Sequence, residues 1–338
     1  MRSHDRLLQS RFTRRHALLS LAATAAAPAL ASSFPRPALA QDQVTLTLVA
    51  YSTPREAYEA IIPLFQATPE GAGVQFETSF AGSGEQSRAI SGGLPADIIA
   101  LSLEPDITRL VEEGLVAEDW NADEYNGMVS DSVVVLAVRP GNPKGITGWD
   151  SLLAEGVEVI TANPLTSGGA RWNVLAAYGA PLQQGKSEEE AFEYLRQLFT
   201  HVPVFDKSAR ESLATFTGGK GDVLIAYENE AITAQQKGEQ LEYIIPDQTI
   251  LIENPVAVGT ESAYPEQAQA FITFLRTPEA QRVFGEKGYR PILPEVLAEF
   301  DYPTPPNLFT AADLGGWSEV NTAFFDPENG TVTAMMQQ

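Results

Sequence analysis

Four short segments carry the residues of this chain best suited to chemistry: Ser52-Thr53, Gly82-Ser83-Gly84, Ser167-Gly168-Gly169 and Ser208-Ala209. Each falls where an apolar, β-branched run ends and a helical pattern begins. The first turn of a helix offers N–H groups that have no intrahelical partner, together with a partial positive charge. Serine adds a hydroxyl donor, and glycine lets a bound group approach the backbone. Several such ends brought together would bind an anion without any lysine or arginine. Any one of them alone also reads as an ordinary N-cap. Ser167-Gly-Gly stands apart, because two consecutive glycines weaken the helix they open and need another reason to be there.

A site built only of N–H and O–H donors suits a fully ionised oxyanion such as sulfate. Monohydrogen phosphate carries a proton that wants an acceptor, and an unmatched buried donor costs about 1–3 kcal/mol. A serine hydroxyl can rotate and accept, which softens this preference. Arg171 is the charged candidate for direct contact. It sits in a helix's first turn, where the dipole disfavours a cation, so a salt bridge supporting the loop is the expectation.

Catalytic alternatives find little support. The chain has no Cys and three His, at 4, 16 and 201. Thiolate chemistry and Cys-ligated metals are thereby excluded, and His201 stands just before an apolar strand with no partner motif. Neither Ser83 nor Ser167 lies in G-x-S-x-G. Glu228 and Glu230 are two apart and diverge on a helix, which predicts a solvated or hinge-facing role. Asp206 and Glu211 read as cap chemistry. No P-loop, G-x-G-x-x-G or H-E-x-x-H occurs. No catalytic residue, cofactor or metal is expected.

The elements that must position these groups alternate. Strands are predicted at 44–50, 74–78, 97–101, 132–138, 157–161, 202–205, 222–226 and 255–259. Helical faces follow at Tyr58/Ile61/Ile62/Phe65, Trp172/Leu175/Ala176, Ala191/Tyr194/Leu195/Leu198 and Ala268/Phe271/Ile272/Leu275. Capping boxes are predicted at Thr53/Glu56 and Ser208/Glu211, with Pro54 at the first helical position and Gln86 completing a cap at Gly82-Ser83. Pro63 should kink or shorten the first helix. Residues 139–145 read as a turn between lobes. The order is that of an α/β protein with mainly parallel sheets, whose ligands bind at the strand C-termini.

Charge narrows the partners. The 338 residues hold 22 basic and 44 acidic side chains, a formal net charge of −22, which repels nucleic acid and anionic lipid. Residues 1–40 carry six Arg and a single acid, with twin arginines at Arg14-Arg15, an Ala-rich stretch and Ala38-Leu39-Ala40. This reads as a twin-arginine export signal cut before Gln41. The chain beyond it carries −27 and lacks a Cys for lipid anchoring.

Several longer segments run in one order across nearly the whole chain. They are Tyr51–Tyr58, Gly82–Gln86, Ala96–Leu101, Asn163–Asn173 (with Thr166-Ser-Gly-Gly-Ala-Arg-Trp172), Gly221–Ala231, Tyr289-Arg-Pro291 and Gly315-Gly-Trp317. In these the sequence resembles the sulfate/thiosulfate-binding proteins of bacterial ABC importers. The resemblance implies a two-lobed periplasmic-binding-protein fold of type II, with two hinge crossings, closing on its anion. It implies ligand contacts from Ser52, Ser83, Ser167, Gly168, Gly169, Ala209 and Tyr227, supported by Thr53, Gly82, Gly84, Arg171 and Glu228. The family often has Asp at position 52 and Trp at position 227, so Ser52 and Tyr227 are departures. Lobe 1 is expected over 41–135 and 255–338 and lobe 2 over 136–254, with crossings near 132–138 and 255–259. The expected partners are sulfate or thiosulfate and a membrane permease, with the protein periplasmic or otherwise exported and monomeric. The alternatives are a binder of molybdate or phosphate, an exported serine hydrolase, and a sulfate sensor.

Overall fold

A computed structural model describes residues 44–337; the export segment predicted over 1–40 lies outside them. Ten strands form one mixed sheet: β1 Val44–Tyr51, β2 Val74–Ala81, β3 Ile98–Ala100, β4 Met128–Val138, β5 Val159–Ala162, β6 Phe205–Asp206, β7 Val223–Tyr227, β8 Glu242–Ile244, β9 Gln248–Val258 and β10 Asn307–Phe309. Their order is β2-β1-β3-β9-β4-β7-β5-β6, with β10 beside β9 and β8 beside β4. Strand β1 runs parallel to both β2 and β3, and β5 parallel to both β6 and β7. Every antiparallel ladder involves β4 or β9, so the mainly parallel arrangement expected from sequence holds in the two wings and not at the centre.

Those two strands tie the wings together. Strand β9 pairs with β10 through Gln248–Ile250, with β4 through Leu251–Pro255 and with β3 through Val256–Val258. Strand β4 pairs with β9 up to Val133 and with β7 from Val134 onward. The crossing in β9 therefore starts before the predicted 255–259, in residues whose mixed Glu253-Asn254 character hid the strand. The turn at 139–145 is not between wings. It closes the far end of β4, where Arg139 donates to the Lys220 and Gly221 carbonyls.

Parallel pairing sets the direction of the helices. Nine of them matter here: α1 Arg55–Gln66, α2 Ser83–Ser91, α3 Glu104–Glu112, α4 Gly168–Gln183, α5 Glu188–Thr200, α6 Ala209–Thr217, α7 Glu228–Gln236, α8 Pro265–Leu275 and α9 Pro278–Glu286. Strands β1, β2, β3, β5, β6 and β7 each end within six residues of a helix start, at α1, α2, α3, α4, α6 and α7. All six helix N-termini thus open at strand C-termini. Helix α1 passes Pro63 and ends at Gln66.

Helix α4 is buried on nearly every side from Gly168 to Pro181. The chain's last stretch contributes to that burial. Trp317 meets Trp172 edge-on at 4.7 Å, and Phe324 meets Tyr178 edge-on at the same distance. Phe309, Trp317 and Phe324 thus pack on α4 and cover its apolar surface. Phe309 sits so close to Gly179 that an added Cβ would stand 2.3 Å from the ring. Replacing Gly179 by Ala should gain up to about 1 kcal/mol of helix propensity yet lose about 1–3 kcal/mol to overpacking. A lower thermal unfolding midpoint is the expected result.

Candidate functional site

The first turn of α4 is the meeting point. A Cβ on Gly168 would lie 2.1 Å from Leu103 Cδ2, 2.4 Å from Ser102 Oγ and 3.0 Å from Ser83 Cβ. On Gly169 it would lie 3.4 Å from both Ala209 Cβ and Tyr227 Cε1. Glycine at 168 lets α4 start this close to the β2–α2 and β3–α3 junctions, while at 169 a Cβ would make ordinary contact with the junctions before α6 and α7. Gly82 and Gly84 act likewise from the opposite side: a Cβ there would reach the Thr166 carbonyl oxygen at 2.9 and 3.3 Å. The structure therefore gathers Gly82, Ser83, Gly84, Ser167, Gly168, Gly169, Ala209 and Tyr227 in one place. Ser52 and Thr53 join through Arg210, the residue after Ala209, whose Nη2 donates to the Thr53 carbonyl at 3.1 Å.

The hydroxyls have distinct tasks. Ser167 caps α4, accepting from the Ala170 N–H at 3.4 Å, which leaves its own proton free to donate. Ser83 does not cap α2; Gly82 does. Its hydroxyl donates to Asp106 Oδ2 at 2.5 Å and accepts from the Ser102 N–H at 3.0 Å. What Ser83 can offer a ligand is its backbone N–H. Ser208 caps α6 as expected, accepting from the Glu211 N–H at 3.3 Å, while Glu211 reaches back to the N–H of Lys207 rather than of Ser208. The capping box predicted at Thr53 does not form. Pro54 is the N-cap, and Thr53 Oγ1 pairs with the Tyr289 hydroxyl at 2.9 Å.

Charged groups frame the cleft in compensated sets. Glu56 accepts from Arg210 Nη1 at 2.6 Å and Nη2 at 2.8 Å, and pairs with Lys237. Burial alone would raise its carboxyl, but the bonds from Arg210 and Lys237 outweigh it and hold the pKa at about 2. Arg210 also lies 2.9 Å from Glu230. Both oxygens of Glu230 are buried without an aligned donor, and burial pushes its carboxyl up to about 7 against the pull of Arg210. Glu228 is buried too, accepting from Arg290 Nε at 2.8 Å; burial raises it and Arg290 opposes. Of the solvated or hinge-facing role expected for this pair, solvation is overturned: both are buried, Glu228 beside Arg290 and Glu230 beside Arg210.

Arg171 supports the loop, as expected, but without a salt bridge among the described residues. It donates to the Pro164 carbonyl and to Asn321 Oδ1, each at 3.0 Å, and lies over the Phe325 ring. Sequence reasoning missed Ser102, Asp106, Glu56 and Arg210 as site framing. For Ser102 a signal was present, since it follows a predicted strand as the other site residues do.

The arrangement can bind and orient an anion. Its cations are already engaged, so the free groups are the N–H donors of first helical turns and the Ser167 hydroxyl. His201 is remote from these groups, its Nδ1 lying 2.9 Å from the Val157 carbonyl oxygen. No cluster of three or more metal-ligating side chains occurs among the described residues. No described helix is long and apolar enough to cross a membrane.

The chain belongs to the bacterial extracellular solute-binding proteins, matching that family over residues 46–290. A sulfate-binding protein of Synechococcus elongatus is 46% identical over 299 residues, covering 83% of this chain and 84% of its own. A thiosulfate-binding protein of Pseudomonas aeruginosa is 35% identical, covering 82% and 88%. Among solved structures, the sulfate-binding protein SubI of Mycobacterium tuberculosis superposes with a TM-score of 0.82 at 45% identity, covering 84% of this chain and all of that one.

Glu230 makes a pH test. Its carboxyl titrates at about 7 when folded and near the ordinary 4.3 when unfolded. The folded state therefore holds the proton more tightly, and stability falls as pH rises between those values. Thermal unfolding of Glu230→Gln from pH 5 to 8 should show a shallower loss than the wild type. An unchanged slope would remove Glu230 as a source of the pH dependence.

Proposed function

We propose that this protein is a non-enzymatic carrier that captures sulfate between two lobes and delivers it to an ABC permease. The observation that carries the reading is the convergence of several helix N-termini on Gly168 and Gly169, where uncharged donors meet and Arg210 and Arg290 are already paired. The contacts assigned to the anion are the backbone N–H groups of Ser52, Ser83, Gly168, Gly169 and Ala209, the Ser167 hydroxyl, and the hydroxyl side of Tyr227. The relatives named for sulfate support this ligand. The relative named for thiosulfate makes that anion the second reading.

In this reading lobe 1 begins with β1 and lobe 2 follows the β4 crossing, and the C-terminal stretch is shared between them. An anion touching both lobes favours closure because it binds the closed state better. Glu56 and Arg210 would meet only on closure. Export through the twin-arginine pathway and a monomeric state complete the proposal.

Calorimetry on residues 41–338, stripped of ligand by unfolding and refolding, tests it. Sulfate is expected to bind at micromolar Kd or tighter, with phosphate much weaker. Ser167→Ala should weaken sulfate by about 1–3 kcal/mol, the worth of one hydrogen bond to a charged group. Tight binding of a different oxyanion in place of sulfate would overturn the ligand assignment while leaving the carrier class intact. Catalytic turnover lost on Ser167→Ala would overturn the class.

A further inference from the structure

Arg210 is offered more acceptors than it can serve. Its Nη1 and Nη2 grip Glu56 at 2.6 and 2.8 Å. The second proton of Nη2 goes to the Thr53 carbonyl at 3.1 Å. Both partners stand at the β1–α1 junction. Glu230, in the first turn of α7, is left out. Its Oε1 lies 2.9 Å from the same Nη2, but that nitrogen carries two protons and both are engaged. The two Glu230 oxygens are buried without a hydrogen-bond partner among the described residues, and so is Arg210 Nε.

These unpartnered atoms match one another. A guanidinium has one fork across its two Nη atoms and another across Nε and Nη2, and either can hold a carboxylate at both oxygens. The chain uses the second fork elsewhere: Arg290 holds Glu228 through Nε and Nη2, and Arg282 holds Glu299 in the same way. In Arg210 that fork is unfilled beside a carboxylate that lacks donors. The grip on Glu56 and Thr53 keeps the two apart. In the carrier reading above, Glu56 and Thr53 belong to lobe 1, and Arg210 and Glu230 to lobe 2. When the lobes part, the grip is lost and the second fork can close on Glu230.

We propose that Glu230 is a positioning residue for ligand capture: it holds Arg210 in the open form, and Arg210 passes from Glu230 to Glu56 as the lobes close on the anion. The switch rests on the two-lobed carrier reading. Closure gives up an ion pair within lobe 2, so Glu230 opposes capture while Glu56 favours it. Protons set the balance. In the closed form burial lifts the Glu230 carboxyl to about 7; Arg210 and Lys237 pull it down and Glu56 pushes it up. The phenols of Tyr227 and Tyr289 are its other titratable neighbours. Paired with Arg210 in the open form, the carboxyl titrates lower. Closure therefore takes up protons near neutral pH, and sulfate affinity falls as pH rises from 5 to 8. Sulfate itself does not titrate in that range.

Sulfate calorimetry on residues 41–338 tests the switch, with the carboxylates on either side of Arg210 neutralised one at a time. At pH 8, Glu230→Gln should bind sulfate about tenfold more tightly than wild type, the equivalent of one hydrogen bond to a charged group, and Glu56→Gln more weakly. A carboxylate that merely propped up the site would weaken binding when neutralised. The affinity of Glu230→Gln should also change less than that of wild type from pH 5 to 8. Affinity of Glu230→Gln equal to or below wild type overturns the proposal, as does a pH profile that persists in it unchanged. If Glu230→Gln does not fold, the wild type decides: binding at pH 7 in buffers of different ionisation enthalpy should show proton uptake, and none overturns the switch. Wild-type protein that binds no sulfate overturns the carrier assignment and the switch together, whereas wild-type binding without the tightening in Glu230→Gln overturns the switch alone.

Discussion

The close approach of neighbouring side chains to the backbone of Gly168 is the constraint on which the site depends. With no Cβ there, α4 starts against Ser83, Ser102 and Leu103. A Cβ at this position would force Leu103, Ser102 or the helix itself to shift and so disturb the spacing of the first-turn N–H groups. The rest of the architecture serves this contact. Parallel pairing in each wing brings helix starts to the same edge, and β4 and β9 join the wings so that the edges face one another. Gly82 and Gly84 allow the same closeness towards Thr166.

Electrostatics follows from that geometry. A chain with a net charge of −22 gains no long-range attraction for an anion. Its arginines at the cleft do not compensate, since Arg210 is bound to Glu56, Arg290 to Glu228 and Arg171 to a carbonyl and an amide. The remaining positive potential comes from peptide dipoles, which are short in range and fixed in direction. Such donors need no reorganisation when an anion arrives, and they are strongest where water is excluded.

Much of this was legible in the sequence because the signals are local. A β-branched run followed by Ser, Gly or Thr marks a strand end and a helix start, and the four junctions read this way lie where the structure places them. Ser167 and Ser208 cap as read. What failed depends on distant residues. Thr53 and Glu56 have the spacing of a capping box, but Tyr289 and Arg210 draw them away. Glu228 and Glu230 looked solvated because Glu228's partner, Arg290, is 62 positions along the chain. Edge strands β8 and β10 are three residues each, too short to show a period. Ser102, between two leucines, carried no cap pattern to set it apart.

The embrace of α4 by the end of the chain bears on how the protein is made. Trp172, Tyr178 and Gly179 find Trp317, Phe324 and Phe309 as neighbours, and those residues leave the ribosome long after the helix itself. Until they do, one apolar side of the central helix has no cover, and the helix whose first turn forms the cleft is not locked in place. Domains generally fold as units during synthesis; here the first turn of α4 gains its full cover only after a much later stretch of the chain has been made. A chain truncated before residue 307 would contain every residue of the Ser-Gly-Gly motif and still lack the packing that points it at a ligand.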